Sequence, residues 1–127
     1  MATRSQDARL TDIIEACGRL QKLLANTTLF AFERDWQNQW LVERGAEIIS
    51  EASSHLSDDL KTRHPQIPWR NVAGIGNALR HSYERTAPAI LWALVQSELP
   101  ALEKICSGIL DLMSGGAEPP ATLDPAT

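Results

Sequence analysis

His81 is the side chain in this sequence best suited to moving protons near neutral pH. It sits in a helical run with Asn77 four residues before it, Arg80 beside it and Tyr83 two residues after it. An imidazole with its ordinary pKa can take a proton and later return it, a service typically worth ~10²–10⁴ in rate. The same window is basic: Lys61, Arg63, Arg70, Arg80 and Arg85 stand against one acid, Glu84, on a chain whose formal net charge is −4. An acidic body argues against indiscriminate nucleic-acid binding, while a local basic strip can guide a phosphate backbone to one place. Two plainer readings compete: His81 as a hydrogen-bonded packing residue, and the strip as a solvated charged face.

The other candidates for chemistry point to structure. Cys17 and Cys106 fall on apolar helical stripes, which reads as core thiols, neither a disulfide nor a metal site. His55 and His64 sit near predicted helix ends without ligand spacing, so both are expected at the surface, and no metal or cofactor is expected. Trp36, Trp40, Trp69 and Trp92 occupy helical spacing among other apolar residues, which places them in a core or a dimer interface ahead of any base-stacking role.

These residues need a scaffold, and 127 residues suffice for one domain. Leu10, Ile13, Ile14, Cys17, Leu20 and Leu24 predict a helix over 7–24, ended by Asn26, Thr27 and Thr28. Trp36, Trp40, Leu41, Ile48, Ile49 and Ala52 predict a second, antiparallel helix over 33–56. Ser57, Asp58 and Asp59 cap a short helix that Pro65 stops, and Pro68 at an allowed first-turn position opens a fourth helix reaching about Tyr83. Beyond Thr86 and Pro88 a fifth apolar pattern runs from Ile90 to Leu112 and is expected to kink at Pro100. The fold expected is an all-α up-and-down bundle of four to five helices over residues 1–113. Residues 114–127, opened by Gly115 and Gly116 and holding three prolines, are expected to form a flexible tail. No apolar run approaches the ~20 residues of a membrane helix and no secretory signal is visible, so a cytoplasmic location is expected.

The run from Ile67 to Tyr83 resembles the signature helix of the HepT-like HEPN ribonuclease toxins, whose motif is R-N-x-x-x-H-x-Y after an IPWR entry. Ile67-Pro68-Trp69-Arg70, Asn77, His81 and Tyr83 match in order, as do the stretches from Glu47 to Ala52 and from Ile90 to Leu102. Gly76 stands where the family has its arginine. The resemblance implies a HEPN fold and a two-fold homodimer whose cleft forms where two such helices meet. It also implies metal-independent cleavage of an RNA substrate, with acid/base work by His81 and an orienting role for Asn77, while the basic strip offers Arg70, Arg80 and Arg85 as its RNA contacts. Tyr83 matches the hydroxyl that a partner MNT-type nucleotidyltransferase antitoxin modifies with AMP, adding bulk and negative charge beside the cleft.

Position 76 leaves two readings open. Arg80 is a candidate substitute, since on a helix its direction from His81 differs from that of residue 76 by roughly 40° and a two-fold dimer brings in a second copy. Losing a preorganised cationic donor commonly costs ~10²–10³ in turnover, which makes impaired cleavage the expected state. The alternative is a non-catalytic HEPN module that dimerises and binds its partner. A mid-helix glycine costs about 1 kcal/mol relative to alanine, implying either a close helix–helix approach at Gly76 or a recent inactivating substitution.

Overall fold

Ser5, Thr28, Asp35 and Ser57 each turn a side-chain oxygen onto a backbone N–H three residues ahead, at 3.3, 3.1, 3.1 and 3.1 Å, and each thereby opens a helix. In the computed structural model, which describes residues 5–80 and 88–115 (backbone alone for 78–80, 114 and 115), these caps precede α1 (Gln6–Leu24), α2 (Leu29–Phe32), α3 (Trp36–Ser54) and α4 (Asp58–Arg63). Next come α5 (Trp69–Arg80), α6 (Pro88–Ala93) and α7 (Leu99–Gly115). Among the described residues there is no strand, as expected of an all-α bundle. No helix there is long and apolar enough to cross a membrane. The expected tail lies almost wholly outside the described residues.

Two boundaries moved for identifiable reasons. The helix predicted over 33–56 runs unbroken but only from Trp36 to Ser54, because Asp35 caps it and Thr28 opens a separate short helix ahead of it; Gln39 ties the two together by donating to the Phe32 carbonyl at 2.8 Å. The long C-terminal pattern does run on, but the disturbance comes just ahead of Pro100, as a π-helical turn over Leu94–Glu98. There the Leu99 N–H reaches back to the Leu94 carbonyl, one residue further than in an α-helix. Proline offers no N–H and its ring displaces the carbonyl four residues before it, so widening the ladder relieves the clash.

Packing follows the apolar stripes. Leu10, Ile13, Cys17, Leu20 and Leu24 of α1 face Val42, Ile49 and Ala52 of α3 on one side and Leu99, Leu102, Cys106 and Ile109 of α7 on the other. α5 packs on α3, so the bundle order is α5, α3, α1, α7. Gln6 pins the start of α1 to the end of α3, accepting from the Ser57 N–H at 2.7 Å and donating to the His55 carbonyl at 3.2 Å. α6 packs against α2 and α3, with the Trp92 and Phe32 rings 5.8 Å apart. Both cysteines are buried and free, and burial pushes each thiol up to about 12. Trp69 is core and Trp92 half-buried, but Trp36 and Trp40 are 57% and 65% exposed, stacked edge-on at 4.9 Å, so neither belongs to this chain's own core.

Gly45 marks the closest approach of α1 and α3: a Cβ there would stand 2.7–2.8 Å from three atoms of the buried Leu20 side chain. At Gly108 a Cβ would meet nothing within 4 Å. Alanine gains about 1 kcal/mol of helix propensity at either site, but at Gly45 overpacking costs about 1–3 kcal/mol. Gly108→Ala is therefore expected to raise the denaturant midpoint and Gly45→Ala to lower it. Equal effects at the two positions in urea titrations would contradict the close approach.

Candidate functional site

Two residues set the entry to α5. The Pro68 carbonyl accepts from the N–H groups of Asn71 and Val72 at 2.9 and 3.1 Å, starting the helix where the proline needs no donor of its own. The indole of Trp69 is buried and donates to the His64 carbonyl at 2.9 Å, docking the first turn onto the end of α4. From there α5 divides cleanly: Trp69, Val72 and Gly76 are buried, whereas Arg70, Asn71, Gly74 and Asn77 are exposed. The exposed positions 70, 74 and 77 recur at helical spacing and form one polar face, on which Gly74 leaves open space around its backbone.

Of the residues predicted to form a site, the fold brings Arg70 and Asn77 onto that face and puts Gly76 on the opposite, buried side. The Arg80 side chain, His81, Tyr83 and Arg85 lie outside the described residues. Among the basic residues of α4, Lys61 is half-buried and Arg63 is engaged by Asp59 at 3.0 Å, an exposed pair that weakly holds the helix. His55 is exposed, as expected, and contacts Glu51 at 2.8 Å; His64 is half-buried at the end of α4. Among the described residues no three His, Cys, Asp or Glu side chains cluster as metal ligands would.

The seam between α3 and α5 carries groups that sequence reasoning missed. Ser50 is buried, and its hydroxyl donates to the Ala73 carbonyl at 2.5 Å while accepting from the Gly76 N–H at 3.0 Å. A serine side chain is short, so α5 must lie with its backbone directly against α3 at Gly76. Of the two explanations for a glycine there, close approach has a structural basis. Glu47 and Glu43 lie on the same stripe of α3, three and seven residues before Ser50. The Glu43 carboxyl is raised above the usual range, first by burial and then by Glu47. Nothing in a periodicity reading marks a serine inside a helix as a contact, and only the pairing of α3 with α5 reveals it.

A groove of about 390 Å³ runs along the other side of α5, lined by Ile67, Val72, Ile75, Leu94, Leu102 and Ile105. Its walls are mostly apolar, with Gln66, Asn71, Ser97 and Glu98 as the polar members of its lining.

Comparison with known proteins gives a consistent result. The family model described as Ribonuclease HepT-like matches residues 13–109. A Thermococcus cleftensis protein named "Probable ribonuclease HepT" is 35% identical over 100 residues, covering 79% of this chain and 91% of the relative. Proteins of Methanocaldococcus jannaschii and Caldanaerobacter subterraneus, named in similarly provisional terms as RNases, are 29% and 30% identical. These cover 82% and 80% of this chain and 95% and 90% of their own lengths. No solved structure gave a match.

Proposed function

Because the chain belongs to the HepT-like ribonuclease family, we propose that it is a metal-independent endoribonuclease toxin of the cytoplasm, working as a two-fold homodimer and weakened by Gly76. The observation that carries the reading is the polar face of α5, where Arg70 and Asn77 lie exposed on the helix that leads into His81. Scission of RNA without a metal needs a group to take the 2′-hydroxyl proton or to protonate the departing 5′-oxygen, and a cation to hold the phosphate. His81 supplies the proton transfers, Asn77 orients the phosphodiester, and Arg70, Arg80 and Arg85 hold its backbone. A nucleotidyltransferase antitoxin silences the toxin by placing AMP on Tyr83, whose added charge repels the RNA. The residue at 76 also favours a second reading, a non-catalytic HEPN module that keeps the dimer and the partner.

The test is cleavage of a fluorescent single-stranded RNA by the purified protein with excess EDTA present. Slow, EDTA-resistant cleavage that His81→Ala abolishes is the expected result. RNA binding without cleavage supports the second reading, and cleavage unaffected by His81→Ala rejects the assigned site.

A further inference from the structure

We infer that Ser50 is a positioning residue for the α5 face, setting the rotation and depth of that helix through two hydrogen bonds to its backbone. The inference rests on the proposed role of that face in holding RNA, but its geometry stands independently. One oxygen meets a carbonyl and an amide three residues apart on α5, at 2.5 and 3.0 Å. Two directional contacts within one turn, one to a carbonyl and one to an amide, fix which side of that turn faces α3 and at what height it sits. A single apolar contact, which lets a helix roll, specifies neither. The bridge is buried, where an unfilled partner is most costly, and it stands where α5 presents a glycine to α3.

Rotation matters here because the two sides of α5 differ sharply. A roll of one residue, about 100°, would carry Asn77 into the seam and turn Gly76 to the groove side that Ile75 occupies. Val72 resists such a roll only by packing, and on one side it borders the groove with Ile75 and Ile105. Trp69 is held directionally by its indole hydrogen bond to the His64 carbonyl, but that bond ties the first turn of α5 to α4. The Ser50 hydroxyl supplies the directional restraint further along, between α5 and α3.

Ser53 provides the control. It is equally buried one turn further along α3, but its hydroxyl donates to the Ser50 carbonyl of its own helix at 3.0 Å and has no bond to α5 among those described. A merely structural role for buried serines in α3 would make the two positions equivalent.

The experiment compares Ser50→Ala and Ser53→Ala with the unmodified protein by amide hydrogen exchange at Gly76 and by affinity for a fluorescent oligouridylate. Ser50→Ala is expected to keep the helical circular dichroism, to speed exchange of the Gly76 amide by about tenfold, and to weaken RNA binding several-fold. Ser53→Ala is expected to change neither. Unchanged Gly76 exchange in Ser50→Ala, or equal responses in the two variants, would overturn the inference. Faster exchange with RNA affinity intact would also overturn it, leaving Ser50 a packing residue. If the unmodified protein fails to bind the RNA at all, the ribonuclease reading fails instead, and Gly76 exchange still decides whether Ser50 holds α5. Should Ser50→Ala unfold, Ser50→Thr, which retains the hydroxyl, must keep slow exchange for the inference to stand.

Discussion

Gly76→Arg is expected to increase RNA cleavage by about 10²–10³-fold, the range commonly lost when one preorganised charge-stabilising donor is removed from an active site. The substitution restores the family's motif while leaving Asn77, His81 and Tyr83 untouched. Its obstacle is steric, since residue 76 is buried and its N–H contacts Ser50. Arginine has the reach to lay its methylene stem along the α3–α5 seam and carry the guanidinium to water. Some loss of stability is therefore expected alongside the gain in rate. Adding His81→Ala should return cleavage to background, because a phosphate clamp without a proton-transfer group does not complete the reaction. The measurement is the initial rate on a fluorescent RNA with EDTA present, together with growth of cells expressing each form. A well-folded Gly76→Arg protein no more active than the parent would show that position 76 does not limit the site. Cleavage by the parent that Arg80→Ala abolishes would show Arg80 acting as the clamp.

Adenylylation gives the second large effect, since it is all-or-none. Tyr83 is the only tyrosine in the chain, and its hydroxyl does not depend on the residue at 76. Incubation with the cognate nucleotidyltransferase and ATP is expected to add one AMP per chain, seen in the intact mass, whether or not the protein cleaves RNA. Tyr83→Phe should remove the adduct entirely. An adduct that persists in Tyr83→Phe would assign the modification to another residue. A phosphodiester-linked AMP on Tyr83, close in sequence to Arg80 and Arg85, adds negative charge to the basic strip, so the modified protein should also bind oligouridylate less tightly.

Much of this protein was legible in its sequence because helices are local. The 3.6-residue recurrence of Leu10, Ile13, Cys17, Leu20 and Leu24 specifies a helix and its buried stripe without knowledge of any partner, and these residues are buried as that pattern requires. The cap at Ser57, the stop at Pro65 and the start at Pro68 are equally local. The order of Ile67-Pro68-Trp69-Arg70, Asn77, His81 and Tyr83 was enough to point to the family, since a motif is a property of spacing along one helix. Periodicity does not separate a core face from any other apolar face: among the described residues Trp36, Trp40, Ile90 and Leu112 satisfy a helical pattern and stand exposed. It also passed over the π turn before Pro100, because the sequence shows the missing donor but not how the ladder accommodates it. What only the tertiary structure decided is what lies across from each helix. The pairing of α3 with α5 buries Gly76, turns Arg70 and Asn77 outward, and brings the Ser50 hydroxyl, more than twenty residues away in the chain, onto the backbone at Ala73 and Gly76. Those contacts depend on the distance and angle between two helices, and no local preference in either sequence segment encodes that distance.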